Sequence, residues 1–154
     1  MIITFAGHSS ISTKEFTKEA IKKELTNLMN KNGAITCYLG GYGDFDNISA
    51  LACKELRESD LPIEMFLITP YIDIEENRKI KALPDSGIYD GSIYPPIENT
   101  PKKFAIAKRN EWMINEADIV IVYVNHDWGG AYKSLEFAKR RKKSIITVHF
   151  PAIR

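Results

Sequence analysis

Short apolar runs alternate along the chain with stretches in which apolar residues recur at helical spacing. The runs have the length of β-strands. One of them, Asp-Ile-Val-Ile-Val-Tyr-Val, shows no alternation of polar and apolar positions, which is typical of a strand buried on both faces. Strands that alternate with helices form a parallel sheet covered by helices on both sides. The pattern therefore predicts one α/β domain of three layers, with a mostly parallel sheet of about five strands flanked by helices. The predicted strands are residues 2–6, 34–39, 62–69, 118–124 and 144–150.

Four helical segments connect these strands. In the first, Ser12 and Glu15 have the spacing of a capping box, in which both side chains bond to free N–H groups of the first turn. Phe16 and Leu25 belong to the apolar face of that helix. The third helix is expected to begin at Pro101, because proline at the first helical position loses no hydrogen bond. The fourth is expected over about residues 131–141.

Residues 70–100 do not fit the simple alternation. This stretch holds four of the seven prolines, and a connection of such length without a helix is well beyond the usual loop. It is therefore a functional segment or an ordered excursion held by tyrosine packing. Tyr71, Tyr89 and Tyr94 are the residues that would cover a ligand in the first case.

The 154 residues contain 21 basic and 20 acidic side chains, for a formal net charge of +1. A near-neutral chain lacks the electrostatic attraction on which dedicated nucleic-acid and membrane-surface binders depend. Nucleic acid is accordingly not the expected partner, and a small molecule is. The chain also has no leader-like N-terminus and no apolar stretch long enough for a membrane span, so we expect a cytoplasmic protein.

Cys37 and Cys53 lie on separate predicted elements without metal-ligand or redox spacing. We expect both to be buried, reduced thiols, in keeping with a reducing compartment.

Glycine-bearing loops follow three of the predicted strands, and each immediately precedes a helix. Glycine allows backbone N–H groups to approach an anion closely, and a helix N-terminus adds free donors and partial positive charge. Because the carboxyl ends of parallel strands meet at one edge of a sheet, the loops are expected to lie together there. They predict a phosphate site, although a glycine turn can also be purely structural. The loops are Gly7-His8-Ser9-Ser10, Gly40-Gly41-Tyr42-Gly43 and Gly129-Gly130.

Several charged and polar residues lie near these loops along the chain. Asp44 and Asp46 open the second helix and are either helix caps or acceptors for a ribose hydroxyl. Arg109, next to Asn110 on the third helix, is either a solvated surface residue or a bidentate phosphate ligand. Glu136, one turn into the fourth helix, is expected to be an ordinary surface charge.

Other chemistries lack their motifs. The Walker lysine and the third glycine of the dinucleotide fingerprint are missing, which disfavours P-loop and ordinary dinucleotide oxidoreductase functions. His8, His126 and His149 have no metal-ligand spacing, so no metal is predicted, and no separate cofactor is implied. No serine lies in a nucleophile elbow.

Three blocks of sequence resemble the SLOG superfamily, the Rossmann-like group that includes the Lonely Guy phosphoribohydrolases and the DNA-processing protein A domain. They are Phe5-Ala6-Gly7-His8, Gly40-Gly41-Tyr42-Gly43-Asp44-Phe45-Asp46, and Arg109-Asn110-Glu111-Trp112-Met113 followed by Ala117-Asp118 and Gly129-Gly130. The chain looks closest to the small YpsA-like members. The resemblance implies a single Rossmann-like domain over residues 1–154, a nucleotide or nucleotide-derived ligand at the strand ends, and a homo-oligomer.

The segment from Asp127 to Glu136 departs from the Lonely Guy motif P-G-G-x-G-T-x-x-E, because it lacks the proline, the third glycine and the threonine. Only Arg109 and Glu136 match the arginine and glutamate associated with catalysis in those enzymes. Two hypotheses follow. The domain binds a nucleotide or an NAD-derived ligand as a sensor or sequestering protein, or it cleaves the N-glycosidic bond of a nucleoside monophosphate as a phosphoribohydrolase or a deoxyribosyltransferase-like enzyme, with Glu136 and Arg109 as catalytic residues.

Overall fold

The structure, a computed structural model, describes residues 1–78 and 87–148. In this part of the chain six strands alternate with five α-helices and one 3₁₀ turn. The strands are β1 (Ile2–Gly7), β2 (Ile35–Leu39), β3 (Ile63–Ile68), β4 (Gly91–Ile93), β5 (Ile119–Tyr123) and β6 (Ser144–Thr147). The helices are α1 (Lys14–Asn32), α2 (Gly43–Glu58), α3 (Ile74–Arg78), α4 (Ala105–Glu116) and α5 (Gly129–Arg140), and the 3₁₀ turn spans Lys102–Phe104.

The strands form one sheet in the order β4-β3-β2-β1-β5-β6, and every neighbouring pair is parallel. The chain builds the sheet outward from β1 to β4, returns to the other side of β1, and continues with β5 and β6. The direction of building therefore reverses between β1 and β5. In a sheet of this kind ligands bind beyond the carboxyl ends of the strands at that switch point. The α/β Rossmann-like prediction is confirmed.

Helices cover both faces of the sheet. On one face Ile21 and Leu25 of α1 and Phe45 of α2 join the larger apolar cluster. On the other, Ile114 of α4 and Phe137 of α5 pack with the smaller cluster around β5. Because both faces are covered, β5 has no polar face, as its continuous apolar sequence indicates.

Cys37 on β2 and Cys53 on α2 are free thiols buried in the larger cluster. A hydrogen bond with Cys53 and burial hold the pKa of Cys37 well above its usual value, which keeps that thiol protonated and unreactive. The expectation that both thiols are buried is confirmed.

The sheet has six strands rather than about five, because β4 comes from the irregular stretch after β3. Its sequence, Gly-Ser-Ile, is too short to show a pattern. Asp90, which precedes β4, fastens it to β3: its Oδ2 accepts hydrogen bonds from the Met65 N–H at 2.7 Å and from Arg57 Nη1 at 3.1 Å. Residues 79–86 of the predicted excursion lie outside the described residues, as do His149 and Phe150, the last two positions of the predicted final strand.

The helix starts also differ from the predicted ones. Helix α1 begins at Lys14, its N-cap Thr13 makes no side-chain capping bond, and Glu15 pairs with Lys18 at 3.2 Å. The capping box is therefore not formed. Phe16 is 48% exposed, because the buried face of α1 follows a strict four-residue step through Thr17, Ile21, Leu25 and Met29.

Pro101 precedes the 3₁₀ turn, and α4 begins only at Ala105. Helix α5 begins at Gly129, two residues before the predicted start. None of the helices within the described ranges is both long and apolar enough to cross a bilayer.

Candidate functional site

A cavity of about 320 Å³ lies at the carboxyl edge of the sheet, where β1 and β5 end side by side. This is the switch point of the topology. The loop after β1, the inner face of α4 and the first turns of α5 form its walls, and Tyr42 just before α2 and Asp46 in its first turn add two side chains. The lining residues include Gly7, His8, Ser9, Ser10, Tyr42, Asp46, Arg109, Asn110, His126, Trp128, Gly129, Gly130 and Ser134. We call it the switch-point cavity.

The loop after β1 is held in place by the start of α2. A Cβ atom on Gly7 would lie 2.2 Å from Cγ of Phe45, so only glycine lets that ring pack there. Gly43 has a φ of +84°, and a Cβ on it would lie 2.7 Å from the Ser9 Cα. Asp44 donates its N–H to the Ser9 carbonyl and accepts the Ile11 N–H through Oδ2, both at 2.9 Å. The glycine-bearing loop Gly40-Gly41-Tyr42-Gly43 and the start of α2 therefore shape the loop after β1, which lines the cavity.

Arg109 is 1% exposed although it lies next to Lys108, whose side chain is 55% exposed. Its Nη1 donates to the Gly40 carbonyl at 2.8 Å and to the Ile68 carbonyl at 2.7 Å, and its Nε donates to Oδ1 of Asn110 at 2.9 Å. The arginine therefore ties α4 to the carboxyl ends of β2 and β3. Within the described part of the chain Nη2 donates no hydrogen bond. The Arg109 side chain also lines the switch-point cavity.

Asp46 is a partly buried residue whose carboxyl group belongs to the cavity wall. Its Oδ2 accepts the Tyr42 N–H at 3.1 Å. Burial raises the pKa of Asp46 to about 6, while the charge of Arg109 and the hydrogen bond from Tyr42 oppose that rise. No ion pair joins Asp46 to Arg109 among residues 1–78 and 87–148, so the two charges interact without direct contact. A carboxyl group with this pKa changes its charge near neutral pH.

The first turn of α5 contributes backbone donors. Gly129 adopts a φ of +89°, which favours glycine at this turn. The preceding Trp128 has an extended backbone and makes no side-chain capping bond, and the first turn contains no acidic residue. Free N–H groups and the helix dipole therefore favour an anion at this end of the cavity.

Three rings stack beside the cavity. The rings of His8 and His126 lie 3.8 Å apart at 14°, and those of His126 and Trp128 lie 3.9 Å apart at 22°. Nε2 of His8 accepts the Asn125 N–H at 2.8 Å, which assigns the ring proton of neutral His8 to Nδ1. Burial, followed by the charge of His126, lowers the pKa of His8. We call His8, His126 and Trp128 the ring stack.

The structure brings most of the predicted site residues to one place. Gly7, His8, Ser9, Asp46, Arg109, Asn110, Gly129 and Gly130 all line the switch-point cavity. Gly40, Gly41, Gly43 and Asp44 do not. Glu136 also lies outside the lining and pairs with Lys139 at 3.4 Å on α5.

Sequence reasoning missed Tyr42, His126 and Trp128 as lining residues. His126 and Trp128 immediately precede the glycine pair of a predicted anion-binding turn, and that position was the available signal.

A second, more open cavity of about 220 Å³ lies where the chain leaves β3 and β4. Tyr71 and Tyr94 line it, whereas Tyr89 is partly buried against the larger apolar cluster. Lys102 at its edge pairs with Glu76 at 2.6 Å. Within residues 1–78 and 87–148 the structure shows no cluster of three or more His, Cys, Asp or Glu side chains suited to a metal ion.

No model of a known protein family matches the chain, and no functionally curated protein matches it either. Several solved structures do. DNA processing protein A from Streptococcus pneumoniae superposes with a TM-score of 0.66 at 18% identity, over 97% of this chain and 50% of that one. The chain thus spans half the length of that protein.

DNA processing protein A from Helicobacter pylori, described for its single-stranded DNA binding mode, has a TM-score of 0.63 at 19% identity, over 98% of this chain and 66% of that one. The molybdenum cofactor carrier protein from Chlamydomonas reinhardtii has a TM-score of 0.54 at 12% identity, over 95% and 74%. These structures share a Rossmann-like α/β fold with this chain. Identities this low establish the fold alone.

Proposed function

We propose that this protein binds a phosphate-bearing small molecule of the nucleotide class in the switch-point cavity and acts as a sensor or sequestering protein for it. The observation that carries the proposal is the buried Arg109, which lines the same cavity as Gly129 and Gly130 at the uncapped start of α5. The cavity volume of about 320 Å³ lies at the lower end of the range for small-molecule sites.

The phosphate is expected near Gly129 and Gly130, where the backbone donors of α5 point along the helix axis. Arg109 adds a full positive charge in a place with little water, where electrostatic attraction is stronger than at the surface. Asp46 is suited to accept a hydrogen bond from a ribose hydroxyl. Within the described chain its Oδ2 accepts the Tyr42 N–H, and its other carboxylate oxygen accepts no hydrogen bond.

Glycosidic bond cleavage is the second candidate, and Asp46 is the observation that favours it. A carboxyl group with a pKa of about 6 in a ligand cavity is suited to proton transfer near neutral pH. Glu136, the residue carried over from the Lonely Guy enzymes, is paired with Lys139 outside the cavity lining. Binding is therefore the better-supported function of the two.

Single-stranded DNA is the alternative ligand for the cavity, because the Helicobacter pylori protein of similar fold is described as binding it. The densest basic run of this chain, residues 139–143, lies at the C-terminal end of α5, and the switch-point cavity lies at the N-terminal end. The run therefore does not add positive charge to the cavity. This placement supports a small ligand over a DNA strand at the cavity.

Under the same proposal the chain is a cytoplasmic member of the SLOG superfamily, close to the YpsA-like subgroup, and assembles as a homo-oligomer. The sequence blocks around Gly7, Asp46 and Arg109 support this assignment. Light scattering after size-exclusion chromatography tests the oligomer directly.

Gly130 provides the sharpest test of the anion site. A Cβ at this position meets no atom within 4 Å, so Gly130→Asp and Gly130→Asn fit equally well and differ in charge. We expect Gly130→Asp to weaken the binding of a nucleoside monophosphate at least tenfold, by calorimetry, and Gly130→Asn to weaken it much less. Equal affinities of the two variants would contradict an anion at the start of α5.

The same preparations distinguish the alternatives. Free base released from a nucleoside monophosphate, and abolished by Asp46→Asn, would show that the protein is an enzyme. Binding of a single-stranded oligonucleotide that Gly130→Asp does not weaken would place any DNA contact outside the switch-point cavity.

A further inference from the structure

The outer ring of the ring stack is unusually open. Trp128 is 67% exposed, whereas Trp112, the other tryptophan, is half-buried and stacks on Tyr38 at 5.7 Å and 9°. One face of the Trp128 indole lies against His126. The exposed fraction is large enough that much of the remaining ring surface contacts water.

The inner part of the ring stack is rigidly supported. His8 is 8% exposed and is fixed by the hydrogen bond from the Asn125 N–H and by an edge-on contact with the ring of Tyr123. Nδ1 of His126 lies 3.0 Å from the Trp128 carbonyl, which orients that imidazole relative to its neighbour. An exposed indole backed by two oriented rings is a preorganised flat surface beside the cavity.

The geometry points to Trp128 as the surface on which a planar heterocycle of the ligand stacks, which makes the ligand a nucleoside phosphate rather than a sugar phosphate. This inference rests on the proposed function, because it concerns the same cavity. Trp128 is one peptide unit, about 3.8 Å between Cα atoms, from Gly129 at the start of α5. A base on the indole and a phosphate on the first turn of α5 therefore belong to neighbouring parts of one molecule.

The hydrogen bonding of His8 favours base stacking over phosphate binding as the role of this ring. Its Nε2 accepts the Asn125 N–H and therefore has no proton to donate to a phosphate, and burial, followed by the charge of His126, lowers the pKa of His8. The three rings instead offer polarisable flat area. Stacking depends on the ring face that all bases share, so we expect modest discrimination among bases.

The test uses Trp112→Phe as a background, which leaves Trp128 as the only tryptophan and therefore the only indole fluorophore. Adenosine monophosphate and uridine monophosphate are titrated in parallel with ribose 5-phosphate. We expect both nucleotides to quench the indole fluorescence and to bind more tightly than ribose 5-phosphate. Binding of ribose 5-phosphate, measured by calorimetry, should leave the fluorescence nearly unchanged.

Substitution of Trp128 then measures its contribution. Trp128→Ala should weaken nucleotide binding by roughly ten- to a hundredfold without changing the affinity for ribose 5-phosphate, and Trp128→Phe should restore most of the loss. Because the side chain is exposed, both variants should retain the wild-type melting temperature, and that is checked first.

The possible failures are distinct. Equal affinity of nucleotides and ribose 5-phosphate, unaffected by Trp128→Ala, would overturn base stacking and leave the proposed phosphate site standing. An equal loss for both ligands would show that Trp128 only shapes the start of α5. Quenching by an oligonucleotide but not by either mononucleotide would make the indole a contact for a strand. If no phosphate compound binds at all, the proposed function itself fails.

Discussion

Removal of the buried arginine should destabilise the protein in a manner that depends on pH. In Arg109→Ala the carbonyl oxygens of Gly40 and Ile68 lose their buried donor, and each unsatisfied acceptor costs about 1–3 kcal/mol. The substitution also removes the free-energy cost of burying the charged guanidinium group, which offsets part of this loss. The two unsatisfied carbonyl groups together set the expected loss in the free energy of unfolding at about 2–6 kcal/mol before that offset.

The pH dependence comes from Asp46. In the native protein its pKa is about 6, against 3.8 for an ordinary aspartate. The folded state therefore binds more protons than the unfolded state between these values, and stability falls as pH rises through this window and then levels off. Loss of Arg109 removes the charge that opposes the rise, so the pKa of Asp46 climbs further. Each additional unit costs about 1.4 kcal/mol above the new pKa.

The difference in unfolding free energy between wild type and Arg109→Ala should consequently be smallest near pH 5, where Asp46 is mostly protonated in both proteins, and should widen above pH 6. Urea unfolding followed by circular dichroism at several pH values measures it. In an Asp46→Asn background the difference should lose its pH dependence. A difference that stays constant across this range in the Asp46 protein would refute the electrostatic coupling.

Three further predictions concern the cavity and its supports. Sulfate keeps a constant charge near pH 6 and should bind more tightly as pH falls through 6, because Asp46 becomes neutral. Calorimetry should show this gain in affinity near pH 6 for the wild type and should not show it for Asp46→Asn. Gly7→Ala should lower the free energy of unfolding by about 1–3 kcal/mol, since its Cβ would overlap the Phe45 ring. Chemical denaturation should show a smaller loss of stability when the same substitution is made in a Phe45→Leu background. Equal losses in the two backgrounds would contradict the overlap. Glu136→Gln should change nucleotide affinity by less than about tenfold because Glu136 pairs with Lys139 outside the cavity lining, and a larger change in calorimetry would bring that carboxylate into the site.

The strands could be predicted because their signal is local. The apolar run from Ile119 to Tyr123 indicates a buried strand without knowledge of its neighbours. The three residues of β4 contain no such signal, and pairing with β3 and the side chain of Asp90 are what hold them in the sheet. Phe16 shows the opposite case, an apolar residue in a helical pattern that the packing of α1 leaves half exposed.

The edge that carries the cavity also followed from the sequence, because parallel strands end on the same side and Gly7 and Gly129 follow two of them. The roles of individual side chains could not be predicted from the sequence. Lys108 and Arg109 are adjacent basic residues on one helix, and nothing in the local sequence tells which of them is buried. The rotation of α4 against β2 and β3 directs Arg109 to two strand-end carbonyl groups.

Hydrophobic periodicity and chain direction are enough to predict the α/β class, the alternation of elements and the edge of the sheet where a ligand is expected. Three features follow instead from tertiary packing. The loop Gly40-Gly41-Tyr42-Gly43 shapes the neighbouring loop after β1, the partly buried Asp46 lies close enough to Arg109 for their charges to interact, and the ring stack ends in an exposed Trp128. Gly43 and Ser9, Asp46 and Arg109, and His126 and His8 are each far apart in the chain, so close packing brings them together and short-range pattern does not.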